Sequence, residues 1–305
     1  MFSKQLQYKT SSVRLIKEKV ASTTMLIMTM CALLLVVLIA VGLVIKSMPI
    51  LEEKSLVDLI LGSSWKPMKG EFGFLPFIAG TLAVTGVATL LALPISLFTA
   101  IFLTEYSKPW VKKIVFPVLD ILAGIPSVIY GLWGILLIVP WISETLAPGF
   151  VEYSTGYSVL AGGIVLGVMV LPLMVSLFVE IFSSAPSELR EASQSLGATK
   201  WQTTKKVVLK QTRAGIFASV MLSISRAMGE TIAVLMVCGN ITQIPTSLLD
   251  GAYPLPALLA NNFGEMMSVP IYESALMFAA LILFVVVVLF NILSRIILHR
   301  LQKNS

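Results

Sequence analysis

Long apolar runs alternate with short polar connections along the chain, and six of the runs reach the roughly 20 residues a helix needs to cross a bilayer. Met25–Ile45 carries no charge, Leu75–Leu103 carries none and contains Pro94, and Ile114–Ile142 carries Asp120 alone. Val159–Val179 is uncharged, Ala214–Asn240 holds Arg226 and Glu230 near its middle, and Ser274–Ser294 is again uncharged. Helices satisfy their own backbone in lipid without closing a barrel. The pattern therefore predicts an all-α integral membrane protein with six transmembrane helices. Its membrane domain covers 25–298, between an N-terminal polar segment, 1–24, and a tail, 299–305.

Composition agrees with this reading. Of 305 residues, 57% are hydrophobic and 12% charged, against about 25% charged in an ordinary soluble domain. The charges have a direction. Segment 1–24 has Lys4, Lys9, Arg14, Lys17 and Lys19, and the turn 104–113 has Lys108, Lys112 and Lys113. Segment 180–213 has Arg190, Lys200, Lys205, Lys206, Lys210 and Arg213, and the tail has Arg295, Arg300 and Lys303. The alternate loops hold only Lys46, Lys54, Lys66 and Lys69. By the positive-inside rule both termini are expected in the cytoplasm. The net charge of +6 is then a topology signal, and no nucleic-acid partner is needed to explain it. The first apolar run is longer than a signal-peptide core and lacks a clear small-residue cleavage site, so an uncleaved span is expected.

Several chemistries are excluded by what the chain lacks. Cys31 and Cys238 both fall inside apolar runs, which gives no CxxC pair and no disulfide framework. His299 is the only histidine, so no metal site of converging histidines is expected. There is no Gly-x-x-x-x-Gly-Lys-Ser/Thr loop to cradle the phosphates of ATP. A membrane phosphotransferase would need a nucleophile beside a base, and no intramembrane Cys–His pair exists. No catalytic residue, cofactor or metal is therefore expected. Energy has to come from a partner or an ion gradient.

The most informative polar stretch is 184–213, "SAPSELREASQSLGATKWQTTKKVVLKQTR". Pro186 suits a helix start, and Leu189, Ala192 and Leu196 follow at helical spacing on one face. Gly197 can adopt the left-handed conformation that ends a helix. Thr199-Lys-Trp-Gln202 reads as a capping box opening a second helix through about Leu209. Two capped helices between membrane spans predict a docking platform for a partner, rather than a plain connector or a DNA-binding unit.

Within that stretch Glu191-Ala192-Ser193, Gly197 four residues on, and then Val207-x-Leu209 resemble the EAA loop of ABC-importer permeases. Ser193 replaces the second alanine of the family pattern, and Lys210 replaces a proline, which should let the second helix run on toward the membrane. "GEFGFLPFIAGTL" (70–82), "LAGIPSVIYGLWG" (122–134) and "RAMGETIAV" (226–234) are similar to the permeases of phosphate-specific ABC importers, the C-type subunit more than its A-type partner. The resemblance implies type I ABC-importer permease architecture in the inner membrane. It also implies transport of inorganic phosphate, with ATP hydrolysis supplied by a dimer of cytoplasmic ATP-binding subunits docked on the loop through Glu191, Ala192, Gly197, Val207 and Leu209. A second homologous permease subunit and an external phosphate-binding protein complete the set of partners. Alternatives are a permease for another oxyanion such as molybdate or phosphonate, the A-type subunit, or a passive anion channel, which the EAA-like loop argues against.

Arg226 and Glu230 remain to be explained, since each charge costs roughly 3 kcal/mol at mid-bilayer. Arg226 lies 13 residues past Arg213, about 20 Å along a helix. Glu230 is four residues later, so the two side chains are expected to share a face and to pair. Two readings stay open: a switchable pair lining the anion path or its gate, and a static pair fixing subunit packing. Ser223, Ser225, Ala227 and Gly229 would let another helix approach. Asp120 is expected in a structural hydrogen bond, Pro94 and Pro126 in kinks, and Gly163-x-x-x-Gly167 in close helix packing. The acidic residues of 46–74 and 241–273 lie on loops long enough to meet a delivery protein.

Overall fold

The computed structural model describes residues 12–151, 153–264 and 269–303. Lys4, Lys9 and Glu265 lie outside them. Eleven helices and one hairpin make up the described chain. α1 (Ser12–Glu53) is followed by α2 (Leu56–Leu61) and by a hairpin of β1 (Trp65–Lys66) and β2 (Glu71–Phe72). α3 (Leu75–Tyr106), α4 (Pro109–Gly124) and α5 (Ser127–Gly149) come next. α6 (Val159–Ser183), α7 (Ser187–Ser195) and α8 (Lys200–Met228) surround the polar loop. α9 (Ile232–Val237), α10 (Leu255–Asn262) and α11 (Pro270–Lys303) complete the chain. Six helices are long and apolar enough to cross a membrane: α1, α3, α5, α6, α8 and α11.

The main core forms where α3 packs along α6. Glycine makes that approach close. A methyl group at Gly163 would stand 2.3 Å from Val87 Cγ1, and one at Gly167 would stand 3.2 Å from the Ala88 carbonyl. The Gly163-x-x-x-Gly167 pattern therefore lets two backbones meet, the role small residues have where no hydrophobic drive acts between helices. A second core caps the bundle on the face away from the 184–213 loop. Trp65 sits edge-on to Phe72, Phe74 and Phe77 at 5.7, 5.3 and 5.1 Å, and Phe77 meets Tyr253 at 5.4 Å. Such aromatic pairs add about 0.5–1.5 kcal/mol each beyond area burial. Thr81 Oγ1 accepts the Leu255 amide at 2.9 Å, fixing the start of α10 against α3.

Two predicted spans are not continuous. The run Ile114–Ile142 divides at Ile125–Pro126 into α4 and α5. Proline has no amide to offer the carbonyl four residues back, which is Leu122. That carbonyl instead accepts the Ile125 amide at 3.3 Å and the Tyr130 hydroxyl at 2.8 Å. The third span is therefore Ser127–Gly149. The run Ala214–Asn240 likewise breaks after Met228, and α9 begins at Ile232. Thr231 Oγ1 donates to the Gly229 carbonyl at 3.2 Å, a local bond that competes with helix continuation. Pro94, by contrast, lies inside an unbroken α3.

Candidate functional site: an intramembrane cavity and a capped loop

The two helix breaks face each other. Leu122 and Ile125 from the end of α4, Ser127 and Tyr130 from α5, Met169 and Leu173 from α6, and Arg226 and Glu230 from the α8 end line one cavity of about 260 Å³. Pro126 sets the position of Ser127, and the Tyr130–Leu122 hydrogen bond holds α4 and α5 at their bend. Tertiary folding thus brings two of the sequence motifs, 122–134 and 226–234, into the same space.

Arg226 and Glu230 do not form an ion pair. The expected pairing assumed one continuous helix, and the break removes its geometry: Arg226 lies in the last turn of α8, while Glu230 lies beyond it, its amide bonded to the Ala227 carbonyl at 3.2 Å. A cation in the last helical turn is favoured by the helix dipole, and the cavity supplies the polar surroundings an intramembrane charge requires. Arg226 is exposed and Glu230 half-buried. Glu230 also borders a neighbouring void of about 10 Å³ with Thr81 and Thr85. Of the small residues expected near another helix, Ser223 and Ala227 are buried and Gly229 is exposed. Asp120 is exposed on α4 and has no hydrogen bond among the described residues, so the expected structural bond is not formed.

On the opposite side of α8 the 184–213 loop is built as its residues predict. α7 starts after Pro186 and ends at Ser195, and Gly197 two residues on turns the chain with a φ of +83°. Thr199 and Gln202 form the capping box, with the Gln202 amide to Thr199 Oγ1 at 3.2 Å and the Thr199 amide to Gln202 Oε1 at 2.9 Å. The second helix runs on without interruption from Lys200 to Met228, through Lys210. Glu191, Ala192 and Gly197 are exposed, and Val207 and Leu209 are half-buried. Leu189 is 40%, Trp201 47% and Leu196 90% exposed, leaving a partnerless apolar face on α7 and the start of α8.

Four residues with evident roles were not singled out in the sequence. Ser127 and Tyr130 stand inside a quoted motif, and the Pro126 break next to them is the signal that could have marked them. Ser193, noted only as a departure, bonds Thr203 Oγ1 at 3.0 Å and ties α7 to α8. Arg190 counted only toward topology. Its guanidinium reaches Glu105 at 3.0 Å and the Phe182 and Ala185 carbonyls at 2.7 and 2.6 Å. A pair separated by 85 positions has no local sequence signature.

Residues 92–303 match the family described as "Binding-protein-dependent transport system inner membrane component". The chain belongs to this family of transport permeases. It is therefore a multi-pass protein of the cytoplasmic membrane and the membrane component of a transport system. The permease is 34% identical over 262 residues to the phosphate transport system permease protein PstC of Haemophilus influenzae, covering 81% of this chain and 82% of that one. It is 37% identical over 282 residues to the probable ABC transporter permease protein YqgH of Bacillus subtilis, 90% of each. In fold it is similar to a chain of a bacterial alginate ABC transporter solved with a pentasaccharide-bound periplasmic protein, with a TM-score of 0.60 at 16% identity, covering 93% of this chain and 98% of that one. The architecture is that of a type I ABC-importer permease.

Proposed function

We propose that this permease is the subunit through which an ATP-driven importer moves inorganic phosphate inward across the cytoplasmic membrane. One observation carries the reading: Arg226 lines a polar cavity at a double helix break and has no hydrogen bond or ion pair among the described residues. A guanidinium presents paired donors that match phosphate oxygens and stays charged at any physiological pH. Glu230, on the same cavity wall, opposes a second negative charge and keeps an anion from settling permanently on Arg226. The 34% identical relatives named for phosphate transport support the choice of anion.

In this reading both termini and the 184–213 loop face the cytoplasm, as the Lys and Arg distribution requires. The exposed Leu189, Leu196 and Trp201 with Glu191, Ala192 and Gly197 form the seat of an ATP-binding subunit. That subunit, present as a dimer, hydrolyses the ATP. A second homologous permease subunit closes the pathway, and an external binding protein delivers phosphate to the opposite face.

The test is uptake of labelled phosphate by the assembled complex in liposomes, wild type against Arg226→Gln, with ATP hydrolysis recorded in parallel. Uptake should fall at least tenfold while hydrolysis persists, since a charge-assisted pair to phosphate contributes roughly 1.5–3 kcal/mol. Normal uptake in the variant would remove Arg226 from the path. Uptake of molybdate or phosphonate in place of phosphate would reassign the anion.

A further inference from the structure

α7 is attached to the rest of the molecule by very little. None of its residues is buried, and its packing is against the first turns of α8. Against α3 and α6, the tightly packed pair of the core, its anchor is one side chain. Arg190 Nη2 donates to Glu105 Oε1 at 3.0 Å and to the Phe182 carbonyl at 2.7 Å. Nε reaches the same carboxylate at 3.2 Å, and Nη1 reaches the Ala185 carbonyl at 2.6 Å. Phe182 belongs to the last turn of α6 and Ala185 follows it, while Glu105 ends α3. The guanidinium thus joins three chain segments, and both partner side chains are largely shielded, Arg190 at 20% and Glu105 at 12% exposure.

We infer that Arg190 and Glu105 form a transmission clamp, which makes displacement of α7 move α3 and α6 as one body. Without it, the short stretch 184–186 between α6 and α7 would absorb the movement by bending. The other end of α7 is tied to α8 through the Gly197 turn and the Ser193–Thr203 bond. α7 is therefore the fork between α6, which carries Met169 and Leu173, and α8, which carries Arg226. Both helices line the intramembrane cavity. Leu173 lies nine residues before Phe182, about 14 Å along the helix, so a tilt imposed at the clamp reaches the cavity wall rigidly. Arginine suits the task because its planar fork can engage several acceptors at fixed angles, which a lysine cannot. Arg190 is a positioning residue: it touches neither anion nor nucleotide.

The inference rests on the reading of α7 as the seat of an ATP-binding subunit. It is tested on the complete transporter in liposomes, with phosphate uptake and ATP hydrolysis measured in the same vesicles for wild type, Arg190→Gln, Arg190→Lys and Glu105→Gln. In Arg190→Gln the complex should assemble and hydrolyse ATP while phosphate moved per ATP falls about tenfold, the loss of one charge-assisted anchor. Glu105→Gln should show a smaller fall in the same ratio, and Arg190→Lys should recover part of it. An unchanged ratio in both glutamine variants would overturn the clamp. Because Arg190→Gln also strips two helix-end carbonyls and can cost folding, a second measurement uses Glu105→Gln with spin labels at Phe102 and Gln194 in a Cys31→Ser background. The distance distribution should broaden relative to the same labels without Glu105→Gln, and an unchanged distribution would count against the clamp. A wild-type complex without ATP-driven phosphate uptake would sink the transport reading, and the spin-label distances would still judge the clamp.

Discussion

Arg226, at the end of an apolar span where a charge is costly, is accommodated by a helix C-terminus and a polar cavity. Partner choice decides other charged residues in the same way. Glu273 pairs with Lys46 at 2.7 Å, Asp58 accepts from Ser55 Oγ, and Glu71 accepts from Ser64 Oγ, so three acids of the 46–74 and 241–273 segments have partners within the chain. Asp250 is a fourth. Its Oδ2 accepts the Ser247 amide at 2.8 Å and the Thr246 amide and hydroxyl at 2.9 Å. The Ser247 amide foremost, then those of Thr246, hold its carboxyl below the ordinary carboxylate range despite some desolvation. A pKa depressed by folding adds stability above the unfolded value, near pH 4, and that stability is lost as pH falls through the folded value. Hydrogen exchange at the Thr246 and Ser247 amides should therefore lose protection on acidification below that window. Asp250→Asn should lower protection at neutral pH and abolish the acid step. An acid step that survives the substitution would assign it to another group.

At the scale of elements, glycine and proline decide where helices touch and where they stop. Gly163 lets α3 and α6 meet at Val87. Gly163→Leu should push the two apart and cost about 1–3 kcal/mol by overpacking. Reduced thermal stability of the purified permease in detergent is the readout, and an unshifted midpoint would mean that the contact yields freely. The helix caps of 184–213 and the glycine pattern of α6 were legible beforehand, because they depend on residues within four positions of each other. Neither the break after Met228 nor its effect on the Arg226–Glu230 pairing was legible. Apolar periodicity does not fall at Gly229, and the Thr231–Gly229 bond that helps end the helix forms only once the chain turns.

Across the whole molecule, the two features with functional meaning sit at opposite ends of α8: the capped loop at Lys200 and the cavity at Met228. One helix thus links the capped loop to the cavity that lies at its other end. Gly197, at φ +83° with open space around it, sets the angle between α7 and α8. A β-branched residue there is strained by roughly 1–2 kcal/mol in the left-handed region. Gly197→Val should therefore leave the membrane bundle folded but weaken capture of the ATP-binding subunits, measured by co-purification. Full assembly with normal transport would remove the turn from the docking seat.

The number of spans, the class of protein, the capped loop and the presence of two costly charges were determined by sequence alone, because each follows from local composition or from contacts a few residues apart. The family resemblance added the expected partners and anion. What the tertiary structure decided was which distant residues share a space. It placed the α4–α5 break and Arg226 around one cavity, separated Arg226 from Glu230, and joined Arg190 to Glu105 across 85 positions. Pairings of that kind depend on how α3, α6 and α8 pack in three dimensions, and no local pattern encodes that packing.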